Sequence, residues 1–268
     1  MLSTPLGDEA KATVNALLCD FWGWDFTTLA LNLDSKVDDA DADRLRQMAL
    51  RLARHEPLQY VTGQCEFCGI GLKVGPGALI PRPETEQLAE IVVKVSEGRE
   101  AQRVLDIGTG SGCIALALNK LLRNPKITAI DISPEAISIA RRNAIGTDID
   151  IRQADILSLK AQEVEAFDVV VSNPPYVLES ERATMEPNVV DYEPSLALFV
   201  PDDDPLVFYR QIARLCANGL LTGGGLVAVE TNERKAAEVA TLMEQEGLRD
   251  VATHTDYLGK ERFVSATR

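Results

Sequence analysis

Positive charge is scarce in this sequence: 27 Lys and Arg stand against 41 Asp and Glu, for a formal charge of −14 and a pI near 4.7. That balance argues against a surface built to neutralise phosphates, although a local basic patch remains compatible with it. Histidine is scarcer still, with only His55 and His254. Five cysteines, an odd number, include one Cys-x-x-Cys at Cys65 and Cys68, but no second pair stands ready to complete a metal site. No metal is therefore expected, and Cys65 and Cys68 read as strand-borne thiols. No apolar run reaches membrane-spanning length and no signal peptide is evident, so with this cysteine usage the expected setting is a reducing cytoplasm. What is present, 46% hydrophobic and 25% charged over 268 residues, is ordinary globular composition, long enough for one large or two unequal domains.

Residues 1–62 carry helical periodicity. Val14, Leu17, Leu18 and Phe21 fall on one face, and Leu45, Met48, Ala49 and Leu52 repeat the pattern in a helix ending near Pro57. The result is a small helical domain with too little apolar surface to stand alone securely. Arg44, Arg46, Arg51 and Arg54 read as a solvated face among aspartates, with an acidic or RNA-associated partner as the alternative. Residues 63–80, GQCEFCGIGLKVGPGALI, read as a β-hairpin linker. A third region, 81–268, opens on PRPETEQLAEIVVKV. There Pro83 suits a first helical position, Glu84 and Glu86 suit the positive end of the dipole, and Leu88, Ile91, Val92 and Val95 form the stripe to be buried. Those residues make a well-started helix, and the functional reading adds Arg82 and Thr85 beside a ligand mouth.

Within 81–268 the pattern is strand, loop, helix, repeated. RVLDIGTGSG is a short apolar strand ending in Asp106 and a glycine loop that opens the helix CIALALNKLL. Gly108, Gly110 and Gly112, with Thr109 and Ser111 between them, let the backbone pass close under a ligand and would aim free amides at it. A dinucleotide fingerprint needs glycine or alanine at position 113, and that residue is Cys113. Asp106 would also repel a pyrophosphate, whereas it suits the cationic amino-acid end of S-adenosyl-L-methionine. The next strand, KITAID, ends in Asp131, which could hold ribose hydroxyls of either kind of ligand. A third strand ends at Asp155, where the carboxylate or adjoining backbone could bind an adenine amino group with Ile156 covering the base.

The fourth strand, FDVVVSNPPY, delivers Asn173 to the same end of the sheet. Neither Pro174 nor Pro175 has an N–H to donate, so the carbonyls of Asn173 and Pro174 escape strand pairing. The Asn173 side-chain oxygen and the Pro174 carbonyl could then accept both hydrogens of an incoming NH2 group, with Tyr176 as a flat wall. A planar amide or aromatic amine attacks carbon poorly; two acceptors on its hydrogens draw charge onto nitrogen and free the lone pair. After Tyr176 an insertion containing DYEPSLAL is expected to cover the substrate. Helix, strand, helix and a terminal hairpin complete a mostly parallel sheet with one antiparallel strand at its end.

These motifs together resemble PrmC/HemK-type protein-(glutamine-N5) methyltransferases, the family that methylates the GGQ glutamine of class I peptide chain release factors. The resemblance runs from about Glu56 to the C-terminus on EPLQYVTG, EFCGIGLKVGPGALIPRPETE, VLDIGTGSGCIALAL, FDVVVSNPPY and DYEPSLAL. NPPY alone occurs also in DNA, RNA and ribosomal-protein methyltransferases. The resemblance implies a Rossmann-like, seven-stranded α/β methyltransferase domain behind a small N-terminal helical domain that docks the protein substrate. It implies S-adenosylmethionine contacts from Gly108 to Gly112, Asp131, Asp155 with Ile156, and Asn173, with Asn173 to Tyr176 and Arg82 around the substrate glutamine. Two positions depart from the family pattern: Asp204-Pro205 where Asp-Gly is usual, and Glu230-Thr231-Asn232 where Glu-x-Gly is frequent. Rival expectations are a glutamine methyltransferase of a ribosomal protein, an amino-methyltransferase of a nucleic-acid base, and a cofactor-binding adaptor without activity. Acidic charge and the lack of a separate basic, aromatic-bearing domain weigh against the nucleic-acid reading.

Overall fold

The computed structural model describes residues 7–96 and 102–268 and divides into two units, one running to Gln64 and including Glu186–Tyr192, the other comprising Cys65–Met185 and Glu193–Arg268. Residues 1–6 of the expected helical segment and 97–101 of the expected third region lie outside the described residues.

The first unit contains α1 (Gly7–Trp22), α2 (Phe26–Leu31), α3 (Asp39–Leu52) and α4 (Leu58–Thr62). Aspartates start two of these helices: Asp25 accepts from the Thr28 amide at 2.6 Å and Asp38 from the Asp41 amide at 2.8 Å, satisfying donors that the helix cannot. Leu17, Leu29, Tyr60 and Val61 form the buried part, while the α3 stripe at Leu45, Met48, Ala49 and Leu52 is only half-buried. Arg44 and Arg46 pair with Asp41 and Asp43 on the exposed side, as a solvated face would. Arg51 departs from that face: its guanidinium pairs with Glu56 and donates to the carbonyls of Tyr60 and Val61, tying α3 to α4. Segment Glu186–Tyr192 is held within the same unit by the Tyr192 hydroxyl, which donates to the Arg54 carbonyl at 2.7 Å.

The second unit begins within β1 (Gln64–Phe67), which forms a hairpin with β2 (Ile70–Lys73). Cys68 and Gly69 both have positive φ, 50° and 64°, the requirement of a two-residue turn that matches strand twist. Cys68 therefore sits in the turn rather than on a strand, its amide donating to Glu86 at 2.7 Å. The chain continues through α5 (Pro83–Val95), β3 (Arg103–Ile107), α6 (Cys113–Leu121), β4 (Lys126–Asp131), α7 (Pro134–Asn143), β5 (Asp150–Gln153) and β6 (Phe167–Ser172). The insertion follows with β7 (Val177–Leu178), α8 (Pro187–Val190, in the first unit), α9 (Ser195–Leu198) and β8 (Phe199–Val200). Last come α10 (Val207–Leu215), β9 (Leu221–Glu230), α11 (Ala236–Gln245), β10 (Arg249–Thr255) and β11 (Glu261–Thr267).

Seven strands form one sheet in the order β10-β11-β9-β6-β3-β4-β5. β11 alone runs opposite to the other six strands, and it lies between β10 and β9 rather than at the edge. Successive residues of each central strand point to opposite faces, so two cores form. Val104, Ile127, Ala129, Val169 and Val171 join α5, α6 and α7 on one side; Leu105, Ile107, Ile130 and Val170 join α10 and α11 on the other. Each fully buried Val, Leu or Ile contributes on the order of 1.5–3 kcal/mol, which is what holds the strand ends in register. On α5, Leu88, Ala89 and Val92 are buried, whereas Val95 at its end is 40% exposed and leaves the expected stripe. Order reverses between β3 and β6: β4 and β5 extend one way, β9 the other. That is where open α/β sheets form a crevice beyond the strand ends. Among the described residues no helix is long and apolar enough to cross a membrane.

Candidate active site

A cavity of about 450 Å³ opens at that reversal. The sheet brings together, at its wall, Gly108, Thr109, Gly110 and Ser111 after β3, Asp131 ending β4, Asp155 and Ile156 after β5, and Asn173, Pro174 and Pro175 after β6; Arg82 and Thr85 join them from the start of α5. Three residues expected at the site do not line the cavity: Asp106, Gly112 and Tyr176.

Asp106 lies beneath the loop, fully buried. Its Oδ2 accepts from the Thr109 hydroxyl at 2.6 Å and the Ala115 amide at 3.2 Å, while Oδ1 has no protein partner among the described residues. Burial pushes its carboxyl up to about 7, against those two bonds, which act to lower it. Asp106 thus braces the loop from within, beneath the cavity wall. Gly112, at φ 84°, is the residue where the loop enters α6; a Cβ there would stand 3.4 Å from the Ala140 Cβ of α7, so its glycine serves helix packing.

The expectation of free loop amides also needs correction. Gly108 and Thr109 both donate to the Ile130 carbonyl, at 2.8 and 3.0 Å, Gly110 donates to Asp131 Oδ2 at 2.9 Å, and Gly112 to the Thr109 carbonyl at 2.8 Å. The β3–β4 register, which sets Ile107 beside Ile130, places the end of β4 directly under the loop and consumes these donors. Asp131 is in turn fixed, its Oδ1 accepting from the Ser133 amide at 2.9 Å, and burial raises its carboxyl above the usual range. Asp155 closes a turn on itself, accepting from the Leu157 amide and the Ser158 hydroxyl.

At the end of β6 the opposite condition holds. The Ser172 hydroxyl donates to the Ile107 carbonyl at 2.7 Å, joining the last residues of β6 and β3. Beyond it, among the described residues, neither Asn173 Oδ1 nor the carbonyls of Asn173 and Pro174 accepts a hydrogen bond. The Asn173 Nδ2 donates to Thr85 Oγ1 at 3.2 Å, Thr85 Oγ1 to Glu230 Oε2 at 2.7 Å, and the Tyr176 hydroxyl to Glu230 Oε1 at 3.3 Å. Tyr176 is therefore drawn toward Glu230 and packs on the α10 side of the core, away from the cavity wall expected of it. Glu230, 1% exposed at the end of β9, has its carboxyl raised by burial. Its buried role was not anticipated from the departure at 230–232; the only sequence signal was an acid closing an otherwise apolar strand.

Glu193 was missed altogether. Its side chain, 1% exposed, accepts from the Ile80 amide at 3.0 Å and from the Arg82 guanidinium at 2.5 Å, so the insertion and the segment before α5 hold each other at the cavity rim. Its signal was the single acid before proline in DYEPSLAL.

Known proteins align with this architecture over most of its length. The family model described as a methyltransferase domain matches residues 99–247, and that described as the PrmC N-terminal domain matches 6–63. A methyltransferase from Pyrococcus furiosus shares the fold at 19% identity, with a TM-score of 0.54 over 74% of this chain and 89% of that one. Fold, strand-end cavity and domain match together define a methyltransferase. The release factor glutamine methyltransferase of Bacteroides thetaiotaomicron is 43% identical over 97% of this chain and 94% of its own, and that of Flavobacterium psychrophilum is 38% identical over 88% and 84%. The chain belongs to the release factor glutamine methyltransferase family.

Proposed function

We propose that the protein transfers a methyl group from S-adenosyl-L-methionine to the side-chain amide nitrogen (N5) of the GGQ glutamine of class I peptide chain release factors. The observation that carries this reading is the end of β6, where, among the described residues, Asn173 Oδ1 and the Pro174 carbonyl stand without partners beside the cavity. Two such acceptors suit the two hydrogens of a primary carboxamide.

The residues present fit the methyl donor. At Gly108 an added Cβ would meet nothing within 4 Å, and at Gly110 only the Gly108 carbonyl at 4.0 Å, so a backbone wall without side chains faces the cavity. Asp131 offers a carboxylate at the end of β4 for ribose hydroxyls, and Ile156 and Leu157 offer apolar cover beside Asp155 for a base. Bound S-adenosylmethionine supplies an electrophilic methyl group on a cationic sulfur. Asn173 and Pro174 then hold the glutamine amide by its hydrogens, draw charge onto its nitrogen and orient the lone pair; catalysis is by positioning and charge stabilisation. The N–H proton is lost once nitrogen is alkylated and acidic, so no strong general base is needed. Arg82, Pro175 and Tyr176 complete the proposed substrate side, Tyr176 through its bond to Glu230 and not as a wall.

The helical segment 1–62 is proposed to dock the release factor, 63–80 to link it, and 81–268 to perform the transfer, without nucleic acid or membrane as partner. The cytoplasm expected from cysteine usage is part of the same proposal. Purified release factors incubated with the protein and labelled S-adenosylmethionine should gain one methyl on the GGQ peptide by mass spectrometry. Methylation of a ribosomal protein or a nucleic-acid base instead, with the release factors unmodified, would overturn the reading.

A further inference from the structure

We propose that Thr85 and Glu230 are positioning residues that decide which end of the Asn173 carboxamide faces the cavity. The inference rests on the function proposed above and concerns direction. A threonine hydroxyl has a single hydrogen, and Thr85 Oγ1 donates it to Glu230 Oε2, 2.7 Å away. Toward Asn173, 3.2 Å away, Thr85 Oγ1 is then left only to accept, and only the amide nitrogen of Asn173 can donate. The amide oxygen is turned away from Thr85, where it can meet a substrate N–H.

Shape alone would not select this orientation, since the oxygen and nitrogen ends of a carboxamide are nearly alike in size. Reversed, the amide would set its oxygen against Thr85 Oγ1 with no hydrogen between them. Glu230 is held so that it can impose the choice. The Tyr176 hydroxyl donates to its Oε1 and the Tyr209 hydroxyl to its backbone carbonyl at 3.0 Å, while β11 pairs Phe263 beside it. The Thr85 and Tyr176 hydroxyls and the nearby Arg262 act to lower its carboxyl, while burial, the largest influence, and Glu84 act to raise it, and the net direction is upward. Three places in the fold thus contribute one residue each to a one-way chain: Asn173 just after β6, Thr85 from α5, Glu230 from β9. Thr85 and Glu230 act on the reaction through Asn173.

The test compares Thr85→Val, which keeps the shape and removes the hydroxyl, with Thr85→Ser, which keeps the hydroxyl. Thr85→Val should lower kcat about three- to tenfold, the worth of one hydrogen bond, with KM for S-adenosylmethionine within about twofold of wild type; Thr85→Ser should stay within about twofold in both. A Thr85→Val enzyme at wild-type kcat, or a Thr85→Ser enzyme as slow as Thr85→Val, overturns the inference. Neutron diffraction from deuterated wild-type crystals reads the same chain without turnover. It should place two deuterons on the Asn173 atom facing Thr85 and the Thr85 deuteron toward Glu230; an oxygen facing Thr85 overturns the inference even if Thr85→Val fails to fold. Wild-type protein that methylates no release factor would refute the proposed substrate, and the neutron result would still decide the orientation.

Discussion

The ends of β3 and β6 are neighbours in one sheet, yet they treat their hydrogen-bonding groups in opposite ways. After β3, the amides of Gly108, Thr109, Gly110 and Gly112 are spent on Ile130, Asp131 and Thr109, and Asp106 locks the loop from below. After β6, two prolines and an oriented asparagine leave acceptors open. The closed end is held chiefly by backbone amides on the Ile130 and Thr109 carbonyls, with the Asp131 and Asp106 carboxyls completing it. The open end must be held by side chains, since proline has removed the ladder, and its geometry depends on residues far away in sequence. Damage at the first should therefore appear as lost stability, and damage at the second as lost turnover.

The largest separation is expected from Asp106. Burial lifts its folded-state carboxyl from 3.8 to about 7, so the folded protein holds that proton more tightly than the unfolded chain. Its contribution to stability is then full below about pH 3.8 and is lost as pH rises through about 7. Over about three pH units at about 1.4 kcal/mol each, urea unfolding of wild type should lose up to ~4 kcal/mol relative to Asp106→Asn between pH 4 and 8. A constant difference between the two proteins across that window would refute the raised Asp106 carboxyl of the closed end.

Next in size is Asn173→Ala, expected to cut turnover by at least about a hundredfold, equivalent to ~2.7 kcal/mol, while calorimetric affinity for S-adenosylmethionine falls less. Equal losses in both would make Asn173 part of the donor side and blur the division. Smallest is Gly112→Ala. With φ at 84° and Ala140 at 3.4 Å, it should lower stability by about 1–2 kcal/mol in denaturant titrations, with little change in kcat of the folded fraction.

Much of this arrangement was legible in the order of residues. The strands ending at Asp131 and Asn173 announce themselves by apolar runs closed by a polar group, and the parallel βα rhythm dictates that those ends share one side. The use of the loop amides was not legible, because their acceptors lie on β4 and only the β3–β4 register brings Ile130 beneath them. Tyr176 was misplaced for a related reason. Nearness to Asn173 along the chain suggested nearness in the cavity, but the backbone turns between them and Glu230 draws the hydroxyl to the far side. Glu193 and Glu230 meet their partners across more than a hundred positions, Ile80 with Glu193 and Thr85 with Glu230, and local pattern carries no trace of such pairings.

The Ser172 hydroxyl on the Ile107 carbonyl has a consequence for any change in the size of the groups handled here. It joins the last paired residues of β3 and β6, immediately before the glycine loop and the Asn-Pro-Pro segment begin. The glycine loop and the Asn-Pro-Pro segment thus leave the sheet from one shared side-chain bond behind both. A cleft of different width would have to begin with that bond, not with the residues that face the ligand.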